Sequence, residues 1–272
     1  QNIYLSFARV SREPRLSNYY NADEATGGVT PQFVQNPDGS YNFNEPLVKP
    51  ETMNDIEFGS SINSDKLSAS LNIFYMIFDN EIVKNGKVDI YGQPITGNVP
   101  QTLHRGVEFS VNLKLNEGIS VFGNATYSKN EIKDGKYYIN STDIIDLSGN
   151  RISGFPGFLA NAGVTYKQDN YFVQITGKYV GKFYSDNYDE NLNKYLNAFP
   201  GFVSYSDNVN DAYFNADMIA SYQFNLFNSL TSSKVYFQIN NIFDKLYSAN
   251  AIGGEFFPSA DRNFLAGLEI GL

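Results

Sequence analysis

One histidine, His104, and no cysteine occur among the 272 residues. A single imidazole makes neither a multi-histidine metal site nor a histidine relay. Without thiols there is no thiolate zinc site, disulfide scaffold or sulfur nucleophile. His104 stands just before an alternating segment, near a loop, and the expected role is a hydrogen bond at the rim of the fold. Asp186, Asp189 and Glu190 lie close enough in sequence to invite a cation, but they miss the calcium-loop spacing and lack its turning glycine. A solvated loop is expected there. The chain has no Gly-x-Ser-x-Gly elbow, phosphate loop or His-Glu-x-x-His helix, so no catalytic, metal-binding or cofactor-binding residue is assigned and no enzyme is expected. A net charge of -9 speaks against nucleic acid as a partner, because phosphate binding needs clustered Lys and Arg. The residues left with something to bind are the loop aromatics Tyr19, Tyr20, Tyr41, Phe43, Tyr137, Tyr138, Tyr188 and Tyr195. Flat apolar rings, most with polar tips, suit aromatic iron chelates, porphyrins and sugars alike. The sequence leaves open which of them bind a ligand. Asn36-Pro-Asp-Gly39, between Phe33-Val34 and Tyr41-Asn-Phe43, reads as a hairpin tip inside the longest loop.

Strands must carry these residues. The longest uninterrupted apolar run, Ile73 to Phe78, is six residues, whereas a membrane-spanning helix needs about 20. Apolar and polar residues instead alternate with period two in ten segments. The first holds Ile3, Leu5 and Phe7, and the second Ile56, Phe58 and Ile62. The third runs from Leu67 to Tyr75, the fourth from Val107 to Leu113, the fifth from Ile119 to Tyr127 and the sixth from Phe158 to Tyr166. The last four run from Tyr171 to Phe183, Phe214 to Phe224, Val235 to Ile239 and Phe264 to Leu272. A soluble sandwich alternates too, so the connections must decide. Short ones (Asn63 to Lys66, Asn116 to Gly118, Gln168 to Asn170, Asn225 to Ser233) take turns with long ones (Arg12 to Pro50, Asp79 to Pro100, Lys133 to Ser153, Ser185 to Asn210, Ser248 to Ala260). An up-and-down meander with tight turns on one rim and long loops on the other gives that pattern. Outer-membrane barrels are built so, with strands of about 9 to 11 residues. Ten strands, an even number, put both ends of the chain on the short-turn side. The polar face, rich in Asn, Ser, Thr and Gln, suits a wet lumen. Aromatics gather near strand ends, as at Phe74, Tyr75, Phe78, Tyr127, Tyr166, Tyr171, Tyr222 and Phe224. Amphipathic rings favour the membrane-water boundary, although cross-strand packing in a soluble sheet would also place rings in pairs. Gln1 opens the chain and no basic segment with an apolar core follows, so a processed chain or part of a longer one is expected.

Five stretches carry a resemblance. They are Asn2-Ile-Tyr-Leu-Ser-Phe-Ala-Arg9 with Arg12-Glu-Pro14, Lys49-Pro-Glu51 leading to Ile56-Glu-Phe-Gly59, Arg105-Gly-Val-Glu108, Asn241-Ile-Phe-Asp-Lys-Leu-Tyr247, and Arg262-Asn-Phe-Leu-Ala-Gly267. In order and spacing the chain resembles the C-terminal barrel of TonB-dependent outer-membrane receptors, in the form common in Bacteroidota. The resemblance implies an all-β fold, a transmembrane antiparallel up-and-down β-barrel. Residues 1–272 would be about ten C-terminal strands of 22, with the plug domain and early strands elsewhere in the same receptor. It implies a place in the Gram-negative outer membrane, with long loops extracellular and the termini of this segment periplasmic. The implied partners are outer-membrane lipid, TonB acting through the plug, and a small-molecule or metal-chelate ligand of the ferric siderophore, haem or cobalamin class, imported actively. A carbohydrate porter is less expected, because Asn241 to Tyr247 and Phe256-Phe-Pro258 to Gly267 look more like the iron and vitamin receptors. Leu272 stands where many such barrels end in Phe, but Gly267, Ile270 and Leu272 keep the spacing. The alternative is a complete ten-stranded barrel, either an omptin-like surface protease or a passive porin. Its first strand would have to pair with its last, and the protease would need acidic partners for His104.

Overall fold

The computed structural model describes residues 1–21, 30–88, 94–140, 142–225 and 232–271. Ten strands form one antiparallel sheet: β1 (Asn2–Arg12), β2 (Glu51–Asn63), β3 (Leu67–Val88), β4 (Pro94–Lys114), β5 (Ile119–Asp134), β6 (Phe158–Gln168), β7 (Tyr171–Val180), β8 (Tyr213–Asn225), β9 (Ser232–Asn240) and β10 (Asn263–Glu269). They lie side by side in chain order, so the sheet is an up-and-down meander. β1 and β10 are its two edges, and no pairing joins them among the described residues.

Alternation gives the sheet two unlike faces. Leu5, Phe58, Ile73, Val107, Tyr127 and Phe158 are successive register partners, an apolar row crossing six strands. That face is bare: Leu5 is 75% exposed, Phe7 70%, Tyr127 69% and Phe264 61%. The other sheets are two-stranded ribbons within the long connections, so among the described residues no second sheet covers it, and the fold is not a sandwich. The opposite face is polar and linked across strands, as by Ser70 with Ser110 at 2.7 Å and Asn161 Nδ2 donating to Asn124 Oδ1 at 2.9 Å. Four of its rings lie over glycines that are their register partners: Tyr4 over Gly59, Phe74 over Gly106, Phe122 over Gly163 and Tyr236 over Gly267. A Cβ at any of these glycines would overlap the ring, so the missing side chain is what lets each ring cover its neighbour's backbone.

Three boundaries differ from the sequence expectation. Pairing of β3 with β4 continues through Lys84↔Thr96 to Val88↔Pro94, so most of Asp79 to Pro100 is hairpin and not loop; residues 89–93 lie outside the described residues. β3 has 22 residues, about 70 Å of extended chain, far more than an apolar band about 25 Å tall requires. Beyond Asp79 the hairpin carries no bare apolar stripe, and Val83 and Val99 turn into a core made by the loops. The seventh segment stops at Val180; Phe183 belongs to a short ribbon, Phe183–Tyr184 with Val209–Asn210, and is buried against Val180 and Tyr213. β10 ends at Glu269, and Leu272 lies outside the described residues, as do 226–231 between β8 and β9. The hairpin inside the first loop is as expected. Phe33–Gln35 pairs with Tyr41–Pro46, and the Gly39 N–H donates to the Asn36 carbonyl at 2.9 Å with φ +86°.

Candidate functional site

The long connections fold together into a layer at one rim of the sheet. Val83 and Val99 from the β3–β4 hairpin and Ile132 from β5 meet Ile145, Leu147 and Ile152 of the next loop. Tyr188, Leu192 and Tyr195, around the helix Leu192–Ala198, complete the cluster. Ile132, Ile145 and Ile152 are at most 2% exposed, so the layer has a core of its own. Tyr188 stands edge-on to Tyr137 and Phe202, at 5.7 and 5.1 Å between ring centres, an arrangement aromatic quadrupoles favour.

Hydrogen bonds tie the same loops. Asp186 is fully buried: its Oδ1 accepts from the Tyr188 N–H and from Asn208 Nδ2, both at 2.8 Å, and its Oδ2 accepts from the Tyr205 hydroxyl at 2.9 Å. Burial pushes the Asp186 carboxyl up from its ordinary value, against these bonds, which pull it down. Burial also pushes the Tyr188 and Tyr205 hydroxyls up, so both stay protonated. Ser185 Oγ donates to the Gly253 carbonyl, and the Gly253 N–H returns a bond to the Ser185 carbonyl. Asn187 Nδ2 donates to the Lys84 carbonyl at 2.7 Å while its Oδ1 accepts from the Ser153 N–H. Gly253 has φ +55°, and any Cβ there would overlap the Gly86 carbonyl. The two backbones touch because Gly253 has no side chain, and a Cβ at Gly86 would press on Asp186 Cβ.

Two sequence expectations are corrected. The acidic stretch is not a solvated loop: Asp186 and Asp189 are buried and only Glu190 faces solvent, because Tyr188, Tyr205 and Asn208 of the same loop donate to Asp186 and the Arg151 N–H of the preceding loop donates to Asp189. No group of three or more possible metal ligands forms among the described residues. His104 is not a rim residue before a strand. It sits inside β4, 6% exposed, with Nδ1 2.8 Å from Asn130 Oδ1 and Nε2 3.0 Å from Glu81 Oε2. The Thr102 hydroxyl donates to the same Glu81 oxygen, and Phe78 and Phe155 flank the imidazole edge-on. Glu81 is thus the acidic partner a protease would need, but both ring nitrogens are engaged and aromatic rings close the space.

The loop aromatics divide. Tyr188 and Tyr195 are buried and hold the layer together. Tyr19, Tyr20, Phe33, Tyr41 and Phe43 form a ring cluster in the first loop, with Phe43 60% exposed, and Tyr138 is 63% exposed in another loop. A cleft of about 650 Å³ opens between the last two long loops, lined by Asp207, Asp211 and Ala212 on one side and by Lys245, Tyr247 and Phe256 on the other. That volume suits a small molecule, and the walls mix carboxylates, an ammonium and rings. The sequence reading missed Asp207, Asp211 and Lys245, which belong to loops separated by a strand hairpin and carry no spacing signal.

The sequence matches, over residues 1–242, the family model described as TonB dependent receptor-like, beta-barrel. The chain belongs to this family. No curated protein matches it. Among solved structures, the siderophore receptor PiuA from Acinetobacter baumannii is similar at 21% identity and TM-score 0.66, covering 98% of this chain and 33% of its own. The copper transporter OprC is similar at 16% and 0.65, covering 99% and 37%. The ferric yersiniabactin uptake receptor FyuA from Yersinia pestis is similar at 16% and 0.63, covering 98% and 34%. The chain spans about a third of the length of these proteins. TonB-dependent receptors are outer-membrane transport proteins, not enzymes.

The stretches that resemble the family also have a physical reading in the receptor barrel. They form seams between strands. Arg12 and Glu51 make a two-pronged ion pair from β1 to β2, at 2.7 and 2.9 Å, and Glu51 also accepts from the Ile82 N–H. Gly59, Gly106 and Gly267 receive rings from the neighbouring strand. Asn241, at φ +55°, holds the turn after β9: its Nδ2 donates to the carbonyls of Lys245 and Ala260, its Oδ1 accepts from the Lys245 N–H, and its own N–H donates to Asp217. Tyr247 stacks on Tyr213 at 4.1 Å, and Asp244 accepts from the Arg262 N–H.

Proposed function

We propose that residues 1–272 are the C-terminal portion of the β-barrel of a TonB-dependent receptor, whose plug and remaining strands come from the same polypeptide. The receptor actively imports a scarce, bulky nutrient of the ferric siderophore, haem or cobalamin class, driven by TonB acting on the plug. The long loops face outside and the short turns face the periplasm. The observation that carries this reading is the open sheet. β1 and β10 end it unpaired, and unpaired backbone groups are not tolerated in lipid, where each costs several kcal/mol. Further strands of the same wall must complete the pairing. A ten-stranded barrel closed on itself would need the β1–β10 ladder that this fold lacks. The ordered loop layer with its cleft is the part positioned to meet cargo first.

The test uses the whole receptor in cells with and without TonB. Uptake of iron-55 supplied as ferric siderophores, with haem and cobalamin run in parallel, is expected for one of the three and only with TonB. Uptake independent of TonB would overturn the reading in favour of a porin. Single cysteines at Tyr138 and at Asn116, probed in intact cells with a membrane-impermeant maleimide, check orientation; only the first should label.

A further inference from the structure

We propose that the outer side of the wall holds a binding site for a phosphorylated lipid, its head on Arg105, Lys129 and Lys133 and its chains in an apolar groove over β6–β8. The proposal rests on the reading above, that the apolar face meets lipid with the long loops outside.

Parity places the cations. Arg105 and Lys129 are register partners, and their row continues through Tyr75, Ile56 and Phe7 on the apolar face, one row beyond Val107, Tyr127 and Phe158 toward the long loops. Lys133 lies four residues further along β5. All three surround the nearly buried Glu131: Lys129 Nζ at 2.5 Å, Lys133 Nζ at 3.3 Å and Arg105 Nη2 at 3.8 Å. One carboxylate is balanced by one cation. Two positive charges remain in excess, on side chains 47 to 53% exposed that point away from the lumen at the edge of the lipid band. A protein gains little from such an excess by itself, whereas an anionic headgroup at that level would be matched to it.

The groove is a second, independent feature. It encloses about 670 Å³ on the same outer face, where Ala160, Ala162, Gly177 and Ala216 leave a slot between larger neighbours, and Tyr179 and Phe214 stand at its loop-side end. Ala160 is the register partner of Ala125 on β5. Lys129 lies four residues from Ala125, about 13 Å along the strand toward the loops. Charge above and slot below are therefore spaced as the phosphate and acyl chains of one lipid are.

Native mass spectrometry of the whole receptor in detergent tests this, with bis-phosphorylated lipid A, dephosphorylated lipid A and inorganic phosphate as probes. The variant Arg105→Gln/Lys129→Gln/Glu131→Gln/Lys133→Gln removes two net charges without leaving a buried carboxylate unpaired, and should bind lipid A about thirtyfold more weakly. Ala162→Phe, which fills the slot, should weaken binding with the charges intact. Dephosphorylated lipid should bind wild type no better than it binds the charge variant. Equal lipid A affinity in wild type and the charge variant would overturn the proposal, and displacement of lipid A by millimolar phosphate would show a free-anion site in its place. Absence of the receptor from outer-membrane fractions would remove the underlying reading itself, which separates the two failures.

Discussion

Replacing Asp186 tests whether the loop layer is a built platform. Alanine there leaves the Tyr188 N–H, the Tyr205 hydroxyl and one Asn208 Nδ2 hydrogen without their acceptor. An abandoned buried donor costs about 1–3 kcal/mol. Tyr205 is only half-buried and recovers water, so the two others set the loss at about 2–6 kcal/mol. Asparagine is different. Its oxygen can keep the bonds from Tyr188 and Asn208, and its amide can donate to the Tyr205 oxygen, so the network survives without the buried charge and the change stays within about 1 kcal/mol. Thermolysin cleavage between Ser185 and Asn210 in the whole receptor reads local opening. The alanine variant should be cut at least about thirtyfold faster and the asparagine variant at nearly the wild-type rate. Equal rates for the two variants, or a resistant alanine variant, would refute the reasoning. The pH dependence has a definite sign. Burial raises the Asp186 carboxyl above its unfolded value, so the folded loop holds that proton more tightly. The resulting stability is complete below the unfolded value and is lost as pH rises through the folded one. Wild-type loops should resist protease better in mild acid than at neutral pH, and Asp186→Asn should flatten that difference.

Four further substitutions probe the seams. Glu51→Gln breaks the ion pair with half-exposed Arg12 but keeps an acceptor for the Ile82 N–H, and should lower unfolding stability by about 1 kcal/mol, read as a modest fall in the denaturant midpoint of the purified receptor. Gly163→Ala puts a methyl into the Phe122 ring and toward the Ile175 carbonyl, at a cost of about 1–3 kcal/mol. Gly59→Ala first meets the Tyr4 ring, which can swing outward, so its midpoint should fall less. Asn241→Ala removes three side-chain hydrogen bonds and leaves a left-handed backbone without the residue that suits it. A loss of about 2–4 kcal/mol should show as faster hydrogen exchange in the turn after β9.

The wall was legible in the sequence because lipid imposes a rule on every strand: alternate residues must be apolar, whatever the neighbouring strands do. All ten strands follow from that stripe. The same rule explains where the reading stopped. Past Asp79 the β3–β4 hairpin leaves the apolar band, the stripe ends, and continuing pairing has no one-dimensional mark. His104 carries no strand signal because the stripe begins at Val107 and the cationic Arg105 interrupts it. The loop layer was the least legible part. Its closing bonds join residues far apart in the chain, Asn187 to Lys84 across 103 positions and Ser185 to Gly253 across 68. Nothing near Asp186 in sequence announces the donors that bury it. Tyr188 and Tyr195 could be recognised as aromatic but not as interior.

The seams have a consequence for how such proteins diversify. Arg12 with Glu51, the rings on Gly59, Gly106 and Gly267, and the turn at Asn241 all join strand to strand, while Asp207, Asp211 and Phe256 line the cleft. Masonry and mouth meet at Lys245 and Tyr247, which line the cleft and also belong to the turn held by Asn241; Asp207, Asp211 and Phe256 have no part in the joints. Most of the mouth can therefore be rewritten with the joints kept, and two members with the same joints are free to differ in the chemistry of their clefts.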